Sequence, residues 1–149
     1  MSAKAIESRL VVRAESSAMR QVDGFVAAFV REQRLAADEA PRILILLEEL
    51  LTNLVKYGYR DRAEPGRAEI VLGLDGRRLE IEFIDDGCAF DPFAAPPPDL
   101  DAPVEAREVG GLGIHILRSP TEEARYERRN DTNVIRLIRI VVLSTAGIS

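Results

Sequence analysis

Apolar residues in the first 60 positions recur with the period of two amphipathic helices. The second helix is predicted to begin at Asp38, a candidate N-cap, and to run to Tyr57, where Gly58 is placed to end it. A short strand, Leu10–Arg13, is predicted ahead of both helices. The first helix is predicted to span about 15 residues, and its apolar stripe consists of Met19, Val22, Phe25, Val26, Phe29 and Val30.

Alternating apolar and polar residues predict strands in much of the rest of the chain. Asp75-Gly76 is a strong hairpin signal, and a second turn is predicted over residues 130–133. The four strands that these turns join are Ala68–Leu74, Leu79–Ile84, Ala124–Arg129 and Val134–Leu143. Early helices followed by hairpins predict an α+β fold, a two-layer sandwich in which a mixed, mostly antiparallel sheet carries helices on one face.

A proline-rich segment separates the two predicted hairpins. Residues 91–109 contain five prolines and show little periodicity. A loop of this length inside a compact domain is usually functional or disordered. The glycine-rich segment 110–113 then opens a short predicted helix, Ile114–Arg118. Because no repeat and no long linker divides the sequence, we expect one domain over residues 1–149.

Composition and charge exclude several classes of protein. The chain has 20 basic and 25 acidic residues, a net charge of −5, which argues against direct nucleic-acid binding. Cys88 and His115 are the only residues of their kinds, so an intrachain disulfide and a multi-histidine metal centre are excluded. No apolar run reaches the roughly 18 residues of a membrane span, and Met1–Arg13 lacks a signal-peptide core. We therefore expect a cytoplasmic protein that does not bind membranes.

Two polar residues on the second helix are candidates for metal chemistry. Glu49 and Asn53 are four residues apart, so they lie one above the other on one helix face. A carboxylate and a carboxamide in this arrangement are able to hold a hydrated Mg²⁺ or to orient a water molecule. Lys56 follows three residues later and is placed to reach a phosphate. The same spacing is also typical of a solvated polar face.

Asp85 continues the inward parity of the strand Leu79–Ile84. A carboxylate that points inward must find hydrogen-bond donors, because a buried unpaired charge is very costly. Gly87 follows it, so the main chain there is able to approach a flat ligand. An ordinary turn in which Asp85 caps backbone amides fits the same residues.

The glycine-rich segment 110–113 leaves backbone N–H groups free at the start of a helix, where phosphate oxygens bind. A plain hinge is the alternative interpretation, and the chain contains neither a Walker motif nor a dinucleotide-binding fingerprint. Together, a metal-holding helix, an inward aspartate and an amide-rich turn are the parts of a site for a magnesium nucleotide. The proline-rich segment, at about residues 91–110, would be its lid.

Three segments resemble, in order, the sequence boxes of the histidine-kinase-like (GHKL) ATPase superfamily. Residues 46–59 (LLEELLTNLVKYGY) resemble the N box, residues 83–92 (FIDDGCAFDP) the first glycine box and residues 110–119 (GGLGIHILRS) the second. More narrowly, the chain is similar to the small anti-sigma-factor serine/threonine protein kinases, which regulate bacterial sigma factors by partner switching. The resemblance covers roughly residues 10–139 and implies ATP and Mg²⁺ as ligands.

The resemblance implies a role for each residue of the N box singled out above. Glu49 would be the general base that takes a proton from a serine or threonine hydroxyl of a partner, or from water. Asn53 would coordinate the Mg²⁺ that bridges the phosphates. Lys56 lies where related histidine kinases often have a phosphate-contacting lysine.

The two glycine boxes would bind the rest of the nucleotide. Asp85 would accept a hydrogen bond from the adenine amino group, and Gly87 would let the main chain lie against the base. Thr132, just before the last strand, would join a water network with Asp85. The amides that would bind the β- and γ-phosphates as the lid closes belong to Gly111, Leu112 and Gly113.

The chain departs from the family pattern in three places. Ala89 stands where the first glycine box usually has a second glycine, and its methyl group disfavours positive φ. Pro120 shortens the helix after the second box, and the turn at 130–133 lacks the usual glycine. We expect these changes to affect affinity and the partner surface more than the class of nucleotide.

The resemblance implies an ATP-dependent serine/threonine protein kinase that phosphorylates a small anti-sigma-antagonist (anti-anti-sigma) protein and also binds a sigma factor. One alternative is an ATP-gated protein-binding switch without kinase activity, and another is an orphan histidine-kinase-type catalytic domain. Glu49 favours the kinase, because a pure binding module needs no base there. A homodimer is also expected of the family, although the first helix and Leu10–Val12 would serve equally well as core or as dimer surface.

Overall fold

Five strands and two helices make up most of the described chain. The computed structural model describes residues 6–60, 62–93, 121 and 123–145. In chain order its elements are β1 (Ile6–Arg13), a 3-10 turn (Ser16–Ala18), α1 (Met19–Glu32), α2 (Glu39–Tyr57), β2 (Arg67–Asp75), β3 (Arg78–Asp85), β4 (Glu123–Arg129) and β5 (Thr132–Ile140). The strands form one sheet in the order β1-β2-β3-β5-β4, with the helices packed on one face. The predicted α+β sandwich is confirmed.

The described sheet is antiparallel throughout, whereas the sequence predicted a mixed, mostly antiparallel sheet. The strand β1 begins four residues before the predicted start, because Ile6 pairs with Leu74 at the far end of β2. The strand β5 ends at Ile140 rather than at Leu143. The amide of Val141 donates to the Arg77 carbonyl, 2.8 Å away, and the chain leaves the sheet there.

The core lies between the helices and the sheet. The predicted apolar stripe of α1 contributes Val22, Val26, Phe29 and Val30 to it, so this face is used inside the molecule. On the opposite face of the sheet Val11 is 52% exposed. Arg136 forms ion pairs there with Glu80 and Glu82, so that charged side chains cover the outer face of β3 and β5.

The tight turns follow the residues that tolerate a left-handed backbone. The hairpin between β2 and β3 has Gly76 at φ 63°, in the first position of a two-residue loop with Arg77. The hairpin between β4 and β5 has Asn130 at φ 49° and Asp131 at φ 65°, so asparagine and aspartate replace the glycine expected there. Gly58 follows α2 as predicted, but its φ of −73° is helical.

A buried ion pair fixes the start of α2. Glu39 is fully buried, and its Oε1 lies 2.9 Å from the Arg139 Nε on β5. Its Oε2 accepts a hydrogen bond from the amide of Val142, also at 2.9 Å. The predicted cap Asp38 makes no side-chain capping bond, because its own backbone is already helical, and its carboxylate pairs with Arg42 instead. The first turn of α2 is thus attached to the end of the sheet.

Candidate functional site

A pocket forms where the second half of α2 meets the end of β3 and the start of β5. Its helix wall consists of residues one turn apart on α2, and its floor consists of sheet residues on the helix-covered side. Its lining is Leu50, Asn53, Leu54, Gly58, Asp85, Cys88, Phe90, Pro92, Asn133 and Ile135. The pocket therefore brings together two of the predicted site residues, Asn53 and Asp85, which come from separate elements.

Asp85 points into this pocket, as its parity predicted, and is 5% exposed. Its Oδ1 accepts hydrogen bonds from the Gly87 amide and from the Asn133 Nδ2, each at 2.9 Å. No described residue donates to its Oδ2 within hydrogen-bond distance. Burial raises the pKa of the Asp85 carboxyl, and the two hydrogen bonds partly offset that effect. The carboxylate thus keeps one acceptor oxygen free of described donors.

Asn133 is the residue of this site that the sequence analysis missed. It lies opposite Asp85 in the β3–β5 register and is 3% exposed. The predicted residue Thr132 lies one position away, and its hydroxyl donates to the Arg129 carbonyl at 2.5 Å. The alternation along β5 could have indicated Asn133 in the sequence, because Asn133 lies on the same strand face as the buried Ile135.

Gly87 lies against the end of α2. A Cβ at this position would be 3.0 Å from both the Cα and the carbonyl oxygen of Gly58, and 3.0 Å from the Leu54 Cδ1. The amide of Cys88 donates to the same Gly58 carbonyl at 2.8 Å. The rings of Tyr57 and Phe90 stack beside this contact at 5.8 Å. Two glycines therefore let the turn after β3 dock directly on the helix that carries Glu49 and Asn53.

The neighbouring carboxylate, Asp86, points away from the pocket. Its Oδ1 accepts hydrogen bonds from the Tyr59 hydroxyl at 2.8 Å and from the Arg67 amide at 3.1 Å, and it pairs with Arg62 at 3.2 Å. Burial would raise the pKa of Asp86, but these donors outweigh burial and hold it below its usual range. Asp86 thus holds the segment after α2, while Asp85 faces the pocket.

Glu49 and Asn53, the N-box residues on α2, each have one buried polar atom without a hydrogen-bond partner among the described residues. Asn53 is 6% exposed and Glu49 is half-buried. The Glu49 Oε1 and the Asn53 Nδ2 are buried and have no hydrogen-bond partner among the described residues. Burial raises the pKa of the Glu49 carboxyl, and the positive charge of Lys56 partly offsets this effect. Both atoms are therefore available to bind a metal ion, a water molecule or a phosphate group.

The donor set fits a magnesium ion better than a transition metal. Within the described ranges, no three His, Cys, Asp or Glu side chains are grouped so that they would hold a metal. Mg²⁺ typically keeps several waters and takes few protein ligands together with substrate phosphates. A rotation of the Asn53 amide by 180° would bring its oxygen to the position of the unsatisfied Nδ2, so Asn53 fits as one such ligand.

The predicted phosphate-binding residues Gly111, Leu112 and Gly113 and most of the predicted lid lie outside the described residues. Lys56 is exposed in the last turn of α2. Ala89 is also exposed, and it is not among the described residues with positive φ. Its methyl group is therefore compatible with the backbone at this position of the first glycine box.

None of the helices in the described ranges is long and apolar enough to cross a membrane.

Comparisons with known proteins identify the family of this chain. The histidine kinase-like ATPase domain family matches residues 12–139. The serine-protein kinase RsbW of Bacillus thuringiensis (strain Al Hakam) is 30% identical over 118 residues, which cover 76% of this chain and 71% of that protein. RsbW of Bacillus anthracis matches to the same extent.

A solved structure supports the fold independently. The RsbU and RsbW domains of Rv1364c from Mycobacterium tuberculosis superpose with a TM-score of 0.64 and 15% sequence identity. The match covers 95% of this chain and 35% of that longer one. The chain belongs to the histidine-kinase-like ATPase domain family and, within it, to the anti-sigma-factor serine kinases related to RsbW.

Proposed function

We propose that this protein is an ATP-dependent serine/threonine protein kinase that phosphorylates a small anti-sigma-antagonist protein and also binds a sigma factor. The observation that carries the proposal is the pair of unsatisfied buried atoms on α2, the Glu49 Oε1 and the Asn53 Nδ2. A module that only binds a partner has no need to keep these groups buried and unpaired. The names of the RsbW relatives, which are serine-protein kinases, support the same activity.

In this proposal Glu49 is the catalytic base and Asn53 holds the metal. A carboxyl whose pKa is raised by burial accepts a proton more readily at neutral pH than a solvated carboxylate does. Glu49 would take the proton from a serine or threonine hydroxyl of the partner. Bound Mg²⁺ would supply neutralising charge on the phosphates, with Asn53 as its protein ligand and Lys56 as a further cation.

The base of the nucleotide would occupy the pocket beside Asp85. Leu50, Leu54 and Ile135 give this pocket apolar walls, which suits a flat heteroaromatic ring. The free Oδ2 of Asp85 would accept the hydrogen bond of the adenine amino group. Gly87 keeps the main chain close enough for the base to pack against it. The amides of the 111–113 segment would bind the β- and γ-phosphates.

Calorimetric titration with ATP, with and without Mg²⁺, tests the nucleotide site first. We expect saturable, Mg²⁺-dependent binding by the wild-type chain and its loss in Asp85→Asn. If the wild-type chain binds no ATP under either condition, the protein is a scaffold that has kept the fold without the nucleotide.

Phosphotransfer tests the activity itself. The wild-type chain and Glu49→Gln are incubated with γ-labelled ATP, Mg²⁺ and an anti-sigma-antagonist protein, and the phosphoamino acid is then identified. We expect phosphoserine or phosphothreonine with the wild type and almost none with the variant. Binding of the partner that depends on ATP but transfers no label would favour the ATP-gated switch. Acid-labile phosphohistidine would favour the histidine-kinase-type domain.

A further inference from the structure

The side-chain amide of Asn133 is surrounded by hydrogen-bond partners from the protein itself. Its Nδ2 donates to the Asp85 Oδ1 at 2.9 Å and to the Cys88 carbonyl at 2.8 Å. Its Oδ1 accepts from the Tyr126 hydroxyl at 2.6 Å and from the Arg128 Nη1 at 3.1 Å. Both amide hydrogens and the carbonyl oxygen are therefore engaged by the protein itself, at a residue that is 3% exposed.

We propose that Asn133 is the positioning residue that sets the base preference of this site, by holding the plane of the Asp85 carboxylate so that one acceptor oxygen keeps a fixed position facing the pocket. The inference rests on the proposed function, because it assumes that a nucleotide base binds beside Asp85. Asn133 does not touch the base in this proposal. It acts through the carboxylate, whose rotation it prevents.

The orientation of Asp85 follows from its two donors. The Gly87 amide and the Asn133 amide both donate to Oδ1, so a rotation of the carboxylate about its Cβ–Cγ bond would have to break both bonds. Oδ2 is left toward the pocket as an oxygen that, when ionised, only accepts hydrogen bonds. An acceptor of this kind favours a purine with an amino group at position 6 and disfavours one with a carbonyl there.

The amide of Asn133 is in turn unable to flip. Its oxygen accepts hydrogen bonds from Tyr126 and Arg128, and its nitrogen donates to Asp85. In the flipped amide the NH2 group would face the donors of Tyr126 and Arg128, and the amide oxygen would face the Asp85 carboxylate. The guanidinium of Arg128 also donates to the Gly87 carbonyl at 2.8 Å, which ties the edge strand β4 to the same turn. Residues of β4 thus hold the Asn133 amide in one orientation, and Asn133 in turn holds the Asp85 carboxylate.

The test compares binding of ATP and ITP, which differ at position 6 of the purine. The wild-type chain is expected to bind ATP about tenfold or more tightly than ITP. In Asn133→Ala the ATP/ITP affinity ratio is expected to fall several-fold, because only the Gly87 amide then holds the Asp85 carboxylate in position. Tyr126→Phe removes one of the bonds that hold Asn133 and is expected to lower the ratio by a smaller factor. It also serves if Asn133→Ala does not fold.

Asn130→Gly is the matched control, because Asn130 lies in the exposed turn of the same hairpin with a φ that glycine adopts freely. Its ATP/ITP ratio is expected to equal that of the wild type. A purely structural role for Asn133 predicts that both affinities fall by the same factor, and an unchanged ratio in Asn133→Ala and Tyr126→Phe would overturn the proposal. If the wild-type chain binds no ATP, the proposed function itself fails, and the two failures are thereby distinguished.

Discussion

The two ends of the candidate site treat their polar groups in opposite ways. At the end proposed to bind the base (the base end), hydrogen bonds that join three strands and the turn after β3 hold Asp85 and Asn133. At the end proposed to carry out phosphotransfer (the catalytic end), the Glu49 Oε1 and the Asn53 Nδ2 are buried without partners among the described residues. The polar groups of the first end are satisfied within the protein, whereas those of the second would be satisfied by a ligand.

The difference matches what each end would have to do. Selecting a base requires a fixed acceptor, so its surroundings are satisfied in advance. Holding a metal and a phosphate requires atoms that are free to bind them, and each unsatisfied buried group costs about 1–3 kcal/mol until it is paired. Part of the free energy of nucleotide binding would therefore come from satisfying the atoms of α2.

The largest effect is expected at the catalytic end. Glu49→Gln keeps the shape of the side chain and removes the base, so turnover is expected to fall about 10²–10⁴-fold. The affinity for ATP is expected to stay near the wild-type value, because Glu49 is not placed against the base. Single-turnover phosphotransfer and calorimetry measure the two quantities on the same preparation. Equal losses of affinity and of turnover would remove the distinction between the two ends.

At the base end the expected effect is on affinity. Asp85→Asn replaces an ionised acceptor by a neutral amide, and the loss of one charge-assisted hydrogen bond is expected to weaken ATP binding about 10–100-fold. Asp86→Asn is the control, since Asp86 points away from the pocket. Calorimetric titration of both variants decides the matter, and a weakening confined to Asp86→Asn would exchange the roles of the two aspartates.

The contact between the ends is tested by adding one methyl group. Gly87→Ala would place a Cβ 3.0 Å from backbone atoms of Gly58, so the backbone would have to shift, and the change is expected to destabilise the fold by about 1–3 kcal/mol. Gly24→Ala on α1 is the matched control, since a Cβ there meets nothing within 4 Å, and it is expected to stabilise the fold by about 0.5–1 kcal/mol. Urea unfolding measures both, and equal effects would show that Gly87 is not a close contact.

The smallest effect is a pH dependence of stability with opposite signs at the two aspartates. The pKa of Asp85 is raised in the folded state, so its ionisation costs stability as the pH rises through that pKa. Asp85→Asn is therefore expected to be more stable than the wild type at neutral pH, with a difference that shrinks as the pH falls. The pKa of Asp86 is lowered, so Asp86→Asn is expected to be less stable at neutral pH. Thermal unfolding between about pH 3 and pH 8, a range that includes the ordinary aspartate pKa of about 3.9, measures both differences, and equal signs would contradict the assignment of the two environments.

Most of the fold could be predicted because local sequence patterns determine its helices and strands. The stripe on α1, the alternation along β3 and the Asp75-Gly76 signal each depend on neighbouring residues, and each is confirmed. The start of β1 could not be predicted from position alone. Its first residue, Ile6, pairs with Leu74 of β2, 68 residues later, and that pairing supplies backbone hydrogen bonds that the local sequence does not indicate.

The site was predictable where parity or helix spacing decided it. Asp85 faces inward because β3 alternates, and Glu49 and Asn53 share a face because they are four residues apart. Asn133 was missed because its importance depends on the register between β3 and β5, which places it opposite Asp85. The side-chain bonds that occupy its amide come from Asp85, Tyr126 and Arg128, and no single window of sequence contains them all.

The buried pair of Glu39 and Arg139 has a consequence for how the protein is made. The two residues are 100 positions apart in the chain, and the helix that begins at Glu39 carries Glu49 and Asn53. While the chain emerges from the ribosome, the charge of Glu39 cannot be buried with its partner Arg139 until β5 has been synthesised. Asn133 arrives on that same strand. A nascent chain that has not yet reached β5 therefore lacks both the anchor of α2 and the partner of Asp85, so the proposed nucleotide site would be complete only after the last strand has been added to the sheet.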